Sequence, residues 1–418
     1  MNRSSVPEPA SRLARQLGTF DAVVIGMGAM IGAGIFAVIG PAVAVAGSAA
    51  LLALLLAGGL AYCNAAASAQ LAVVYPESGG TYVYGDRQLG RLWGFLAGWG
   101  FVVGKLASCA AMALTFASYA APEFMRPLAV LAVLSLTVVN YFGVKKTMAL
   151  TQVIVALVLS ALAALLVGTV FGGQADPARL QIDDQWSVYG LLQAAGLWFF
   201  AFAGYARLAT LGEEVRDPAR TIPRAIPVAL GITLLLYALV AAAALAAVEP
   251  EVLAAAPAPL VAAVEAGQLA ALGPAVRMGA VIASLGVLLS LIVGVSRTVF
   301  AMSAQGDLPR VFDRVHKRYK VPHRAELAVG LVVAALVMVT DLRSVVGFSA
   351  FTVLVYYAIT NAAAWKLNGG PWARGRALLG LIGCITLAFS LPVVSVIMGA
   401  AILVFGVLLF WLRRLLGV

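Results

Sequence analysis

The sequence predicts an all-α membrane protein of about twelve transmembrane helices. Three observations carry that expectation. Of 418 residues, 62% are hydrophobic and only 11% charged, with a mean hydropathy of +0.99; a soluble protein carries about 25% charged residues. The apolar residues fall into long runs, and about 20 of them suffice to cross a bilayer as a helix. Lysine and arginine, finally, alternate in density from one loop to the next. The net charge of +10 therefore reads as an orientation signal. No basic stripe with interleaved aromatics marks a nucleic-acid partner.

Taken in order, the chain offers a polar tail over 1–19, then spans near 20–45, 48–72, 93–120, 127–142, 148–172, 187–211, 225–247, 275–303, 325–341, 344–366, 376–391 and 393–412. The fourth is short, and the last two are divided only at Leu391-Pro392. No short apolar segment with a small-residue cleavage site opens the chain, so no cleaved signal peptide is expected. Twelve spans put the N-terminus and every second loop on one side. That side holds 21 of the 28 lysines and arginines, against four on the other, with Lys105, Arg207 and Arg297 in or near the bilayer. The bias places both termini in the cytoplasm. The opposite loops carry acids: Asp176, Asp183 and Asp184 in 173–186, and Glu249, Glu251 and Glu265 in 248–274. Both read as external connectors, the second with a short surface helix.

The three cysteines, Cys63, Cys109 and Cys384, lie inside apolar spans, and neither a disulfide framework nor a metal spacing follows from them. The histidines, His316 and His323, share one basic loop. No nucleophile–base pair or metal cluster points to an enzyme. Gly26-Met27-Gly28 lacks the glycine spacing and βαβ context of a dinucleotide loop, and Gly104-Lys105 lacks a P-loop.

Span one contains Val23-Val24-Ile25-Gly26-Met27-Gly28-Ala29-Met30-Ile31-Gly32-Ala33-Gly34-Ile35-Phe36. Each interior glycine costs a helix about 1 kcal/mol relative to alanine. One reading is small-residue packing between membrane helices. The other is a helix broken at mid-membrane, its freed backbone aimed at a ligand. Span six favours the second, because Phe199-Phe200-Ala201-Phe202-Ala203-Gly204-Tyr205-Ala206 interrupts it in the same way, five spans later and in the opposite direction. The N-terminal end of a half-helix suits a carboxylate, and freed carbonyls suit an ammonium group. An α-amino acid presents both on one carbon.

These residues resemble the amino acid–polyamine–organocation (APC) superfamily. Gly28-Ala29-Met30-Ile31-Gly32-Ala33-Gly34-Ile35-Phe36 is similar to its glycine-rich signature. Three further stretches match in order: Pro76-Glu77-Ser78-Gly79-Gly80-Thr81-Tyr82; Phe202-Ala203-Gly204-Tyr205 with Glu213-Glu214-Val215-Arg216-Asp217-Pro218 and Ile222-Pro223-Arg224-Ala225-Ile226; and Ser296-Arg297-Thr298-Val299-Phe300-Ala301-Met302 with Gly306-Asp307-Leu308-Pro309. The resemblance implies a transporter core over 20–366 built of five-plus-five inverted repeats, about 20–172 and 187–366, followed by two peripheral helices over 376–412. It implies alternating access, no cofactor and a substrate held between spans one, three, six, eight and ten. The substrate carboxylate would meet amides of Ile31, Gly32, Ala33 and Gly34. Its ammonium would meet carbonyls around Met27 and Met30 and around Phe199 and Phe202, beside Ala203, Gly204 and Tyr205, with Phe202 as aromatic gate.

Two departures from the family pattern shape the expectation. Span five has no lysine where many proton-coupled members carry one. Lys105 of span three is the coupling candidate in its place. It lies about 18 Å along the helix from Trp93, too deep for easy snorkelling, at a cost of about 2.5–3.5 kcal/mol on insertion scales. Ala206 and Arg207 follow Tyr205 where members taking basic substrates carry an acid, which favours neutral amino acids. Glu213, Glu214 and Arg297 are cytoplasmic gate candidates, with Arg87 and Arg91 as further partners. Tyr82, Tyr84, Tyr356 and Tyr357 read as interfacial belt residues or inner gates, the belt being the default. The sequence thus points to a secondary active amino acid transporter of the bacterial inner membrane, proton-coupled or exchanging. An amine or polyamine transporter and a non-transporting sensor with the same fold are the alternatives. Oligomeric state has no signature.

Overall fold

The computed structural model describes residues 18–75, 79–143, 148–182, 186–205, 208, 215, 217–367 and 369–415. The regular structure among these is helical. Span one is divided into Thr19–Met30 and Gly34–Ala46. Spans two to five are Ala50–Val74, Arg91–Ala120, Met125–Tyr141 and Met148–Val170. Span six is Val188–Phe202 with a 3-10 turn at Ala203–Tyr205. Spans seven to ten are Pro218–Ala247, Gly273–Ala304, His323–Val339 and Leu342–Trp365, and spans eleven and twelve are Pro371–Ser390 and Val393–Leu415. Among the described residues, ten helical stretches are long and apolar enough to cross a membrane. The first of them, Gly34–Val74, turns at Gly47, where φ is 53°, a left-handed value that glycine adopts without strain. It therefore holds the second half of span one and all of span two. Span nine falls just short by length.

Spans one to five and six to ten have the same neighbours. The first half of span one packs on span seven, and span six packs on span two. Span three meets span ten as span eight meets span five. The same correspondence relates pair one–five to six–ten, two–ten to seven–five, three–four to eight–nine, and three–nine to eight–four. Because the halves are offset by five crossings, equivalent helices run in opposite directions. The contact pattern is therefore that of an inverted repeat, with spans eleven and twelve packed outside it against spans two, three, six and ten.

The segment 248–274 departs from the expectation of a surface connector. It forms two short helices, Pro250–Ala255 and Pro259–Glu265. Leu253, Leu260, Val261, Ala263 and Val264 are fully buried, and the helices pack on spans one, seven and eight. Prolines mark the first turn of each, where a missing N–H costs nothing. Opposite charges also close helix ends on this side. Arg179 donates from Nη1 to the carbonyls of Ala246 and Ala247 at the end of span seven and pairs through Nε with Glu249 at 2.9 Å. Arg277 donates to the Tyr119 carbonyl at the end of span three. Cations at helix C-termini satisfy the last carbonyls and oppose the helix dipole.

A buried amide pair joins the repeat to span eleven. Asn361 of span ten donates to Asn64 Oδ1 of span two at 2.6 Å, and the Cys384 thiol of span eleven lies 3.3 Å from the same oxygen. All three side chains are wholly buried. The absent Cβ of Gly380 admits the Asn361 carbonyl oxygen. Asn361→Leu leaves Asn64 Oδ1 with the weak Cys384 thiol donor in place of an amide and should destabilise by about 0.5–1.5 kcal/mol, one buried hydrogen bond. It should be read as a lowered thermal midpoint of the detergent-purified protein. Asn64→Leu/Asn361→Leu should recover most of the loss, since removing both amides leaves only the weak Cys384 S–H donor without its acceptor.

Candidate functional site

The two interruptions are real breaks in the helical ladder. In span one the last regular bond runs from the Ile31 amide to the Met27 carbonyl at 2.7 Å. The amides of Gly32 and Ala33 have no backbone acceptor among the described residues. Gly34, expected to be unwound, is instead the first residue of the second half-helix, so its amide and those of Ile35 and Phe36 are first-turn donors with no intrahelical partner. In span six the helix persists through Phe199 and Phe202, and the break starts only at Ala203. The four aromatic-rich residues before it are buried packing side chains. The interruption falls where the chain becomes small.

Close contact between the breaks explains that placement. A Cβ at Gly204 would overlap the Ala29 carbonyl oxygen and lie 2.5 Å from the Ala29 carbonyl carbon and 2.9 Å from the Met30 nitrogen. At Gly34 a Cβ would lie 2.8 Å from Ala201 Cα. The glycines thus bring the two backbones together. Gly26 and Gly28 serve ordinary packing against Leu208 and Val155, so the small-residue reading of span one holds for its first half.

Tyr237 of span seven, which sequence reasoning missed, joins the two breaks. Its hydroxyl donates to the Met30 carbonyl and lies 3.5 Å from the Ala201 carbonyl. Its ring packs on Phe202, with centroids 5.5 Å apart, and near Trp198. Phe202 is wholly buried there. A tyrosine in an otherwise plain apolar span is the only signal the sequence gives.

Spans three, eight and ten complete the surroundings. Gly32 abuts Val287 of span eight. Phe36 meets Tyr119 of span three edge-on at 5.6 Å, and Phe199 meets Tyr357 of span ten at 5.7 Å. Met30, Ile31, Ala33, Ala203 and Tyr205 are buried, Met27 and Gly204 half-buried. The breaks are closed from solvent in this conformation.

Lys105 lies midway along span three with Nζ 5.9 Å from the Phe101 ring centroid. It makes no ion pair or hydrogen bond among the described residues. Aromatic rings run from it to span six: Phe101 on Tyr356 at 5.5 Å, Tyr356 on Tyr357 at 5.1 Å, and Tyr357 on Tyr205 at 5.1 Å. Tyr356 and Tyr357 are therefore interior residues, and so are Tyr82 and Tyr84, all four under 10% exposed. The belt expectation is wrong for this group because hydropathy does not distinguish a lipid-facing ring from one packed between helices.

At the arginine-rich end, the short helix Thr81–Leu89 is tied to the end of span eight. The Tyr82 hydroxyl donates to the Asp307 carboxylate and lies as close to Gln305 Oε1, while Arg91 pairs with Asp307 at 2.9 Å. Burial and the Asp307 carboxylate hold the Tyr82 phenol far above its usual range, so it stays a donor at physiological pH. Asp307 thus takes Arg91, for which Glu213 and Glu214 were the expected partners. Glu213 and Glu214 lie outside the described residues, as do Ala206, Arg207 and Pro76–Ser78. Arg297 is exposed and acts electrostatically on the buried Glu326 of span nine.

Among the described residues no cluster of three His, Cys, Asp or Glu side chains has the spacing to hold a metal. Residues 21–404 match a family model described as amino acid permease. An uncharacterized transporter of Mycobacterium tuberculosis is 58% identical over 97% of this chain and 92% of its own. A branched-chain amino acid permease of Bacillus subtilis is 25% identical over 96% and 93% of the two chains. A methylthioribose transporter of the same organism is 30% identical over 79% and 76%.

Contact between the breaks has a direct test. Gly204→Ala drives a methyl group into the Ala29–Met30 backbone, an overpacking worth about 1–3 kcal/mol, and should lower the thermal midpoint in detergent. Gly231→Ala in span seven, where a Cβ meets nothing within 4 Å, should leave it unchanged or slightly raised.

Proposed function

The chain belongs to the amino acid permease family, and from that premise we propose that it carries neutral α-amino acids across the cytoplasmic membrane by alternating access. The observation that carries the reading is the apposition of two broken helices in inverted repeats. Amides of Gly32, Ala33 and Gly34 supply donors for a carboxylate, and carbonyls at the start of the span-six break supply acceptors for an ammonium. The same site residues serve as in the sequence reading: Met27, Met30, Ile31, Gly32, Ala33 and Gly34 from span one, and Phe199, Phe202, Ala203, Gly204 and Tyr205 from span six. Both termini face the cytoplasm, as the loop charges require.

Neutral substrates fit because no described acid lies among the residues of the two breaks. Lys105 serves as the coupling residue. A membrane-buried ammonium faced by a ring quadrupole rather than a carboxylate is held weakly and exchanges its proton as its surroundings change. Transport is then proton-linked uptake or exchange. Opening the site requires the Tyr237 hydroxyl to give up one or both carbonyls, so that the substrate ammonium takes the place of a phenol proton. Glu213, Glu214 and Arg297 act at the cytoplasmic mouth.

Radiolabelled uptake into proteoliposomes, with and without a pH gradient, tests the reading. Competition by branched-chain amino acids, but not by their decarboxylated amines, by cationic amino acids or by methylthioribose, is expected. Inhibition by the amines would point to an amine transporter, and saturable binding without flux to a sensor. Lys105→Ala should abolish the pH dependence while the protein still reaches the membrane; an unchanged dependence removes Lys105 from coupling. Tyr237→Phe keeps the ring but strands the Met30 carbonyl in the closed conformation; with no phenol proton left to displace, the substrate ammonium should bind about tenfold more tightly, equivalent to one buried hydrogen bond, read as a lowered half-saturating concentration for uptake.

A further inference from the structure

Away from the breaks, a groove of about 630 Å³ runs between spans two, seven and eleven at their arginine-rich ends. Ala66, Ala69 and Val73 form one wall and Pro223 and Pro227 another, with Arg376 of span eleven across from them. Small residues and the two prolines leave room for the groove, while Tyr62, Gln70 and Ile226 border it without filling it. The groove follows span two from Val74 to Tyr62, about 18 Å of helix, which is roughly the depth of one leaflet of a 30 Å hydrocarbon core.

Arg376 is what makes this more than a seam filled by bulk lipid. Its Nε is buried and has no hydrogen-bond partner, and the side chain forms no ion pair among the described residues. It stands five residues, or roughly 8 Å, into span eleven from Pro371, at headgroup depth. Trp372 and Trp365, 88% and 51% exposed, mark the same interface. An arginine left this way calls for an anion with several acceptor oxygens. The apolar groove below it calls for a hydrocarbon chain. A protein helix in the groove would satisfy the second requirement and leave the guanidinium unpaired.

We propose that this groove is a binding site for one acidic phospholipid, its phosphodiester on Arg376 and one acyl chain lying between spans two, seven and eleven. The lipid would contact spans two and seven, which are the helices packed on the two broken spans.

Native mass spectrometry of the purified full chain, titrated with phosphatidylglycerol, phosphatidylcholine or glycerol 3-phosphate, tests the site. Wild type should hold one phosphatidylglycerol more tightly than phosphatidylcholine and should not retain glycerol 3-phosphate. Arg376→Gln should bind phosphatidylglycerol about fivefold more weakly, the effect of one basic contact at a membrane surface. Ala66→Phe, which fills the groove and keeps the arginine, should lose the adduct as well, and stands as the test if the first variant does not fold. Arg374→Gln, exposed and outside the groove, should bind as wild type. Wild-type retention by both Arg376→Gln and Ala66→Phe would overturn the proposal. Equal retention of phosphatidylcholine would also overturn it, as would tight binding of glycerol 3-phosphate.

Discussion

A backbone carbonyl or amide in a bilayer has no water to turn to, and this constraint organises the molecule. A continuous helix satisfies the requirement locally. Spans one and six give that up at Ile31–Ala33 and Ala203–Tyr205. The exposed groups must then be served from elsewhere in the protein or by a ligand. The structure answers with one side chain and a close approach: the Tyr237 hydroxyl reaches both carbonyl sets, and Gly204 lies flat on the Ala29–Met30 peptide. A broken helix standing alone would be an unpaid desolvation of several groups; two breaks in contact share one donor, the Tyr237 hydroxyl.

That sharing requires the inverted repeat. Two helices with mid-membrane breaks can present them to each other only if they cross near the bilayer centre. The exchange of neighbours between spans one to five and six to ten places them there. The polar residues that lock the helices are spread around this centre rather than within it. Asn64 and Asn361 tie spans two and ten to span eleven, Ser108 and Ser349 join spans three and ten at 2.8 Å, and Asp307 holds the short helix before span three to the end of span eight. The breaks themselves hold mostly backbone polarity. Backbone groups carry no net charge, so a zwitterion can meet them in either conformation without leaving a buried ion behind.

Much of this was legible in the sequence. Hydropathy located the spans, because a bilayer demands length and apolarity of every helix that crosses it. Glycine within an apolar run located the first break to within a residue. The second break was placed four residues early, since Phe199 to Phe202 resemble an interruption in composition but are helical packing residues in three dimensions. What escaped was everything that depends on which face of a helix looks inward. Tyr237 sits in a run of leucine, alanine and valine with no local mark of its role. Tyr84 and Tyr357 carry the composition of belt residues yet are buried. The segment 248–274 has the prolines and glutamates of a surface loop, but Leu253 and Leu260 turn it into a plug over spans one and seven. Only long-range packing decides these cases, and a single sequence does not display it.

The placement of charge follows from the same constraint. Several charges at the helix ends have a counter-charge or a helix terminus: Arg91 has Asp307, and Arg179 and Arg277 have helix C-termini. Lys105 has only the Phe101 ring, and a quadrupole is a poor substitute for a carboxylate in low dielectric. A cation so placed is stabilised best when an anion arrives. From Lys105 the ring contacts run through Phe101, Tyr356 and Tyr357 to Tyr205 and Phe199 of span six. A shift of Lys105 toward a new partner therefore disturbs rings packed at the span-six break, since close-packed side chains do not move singly.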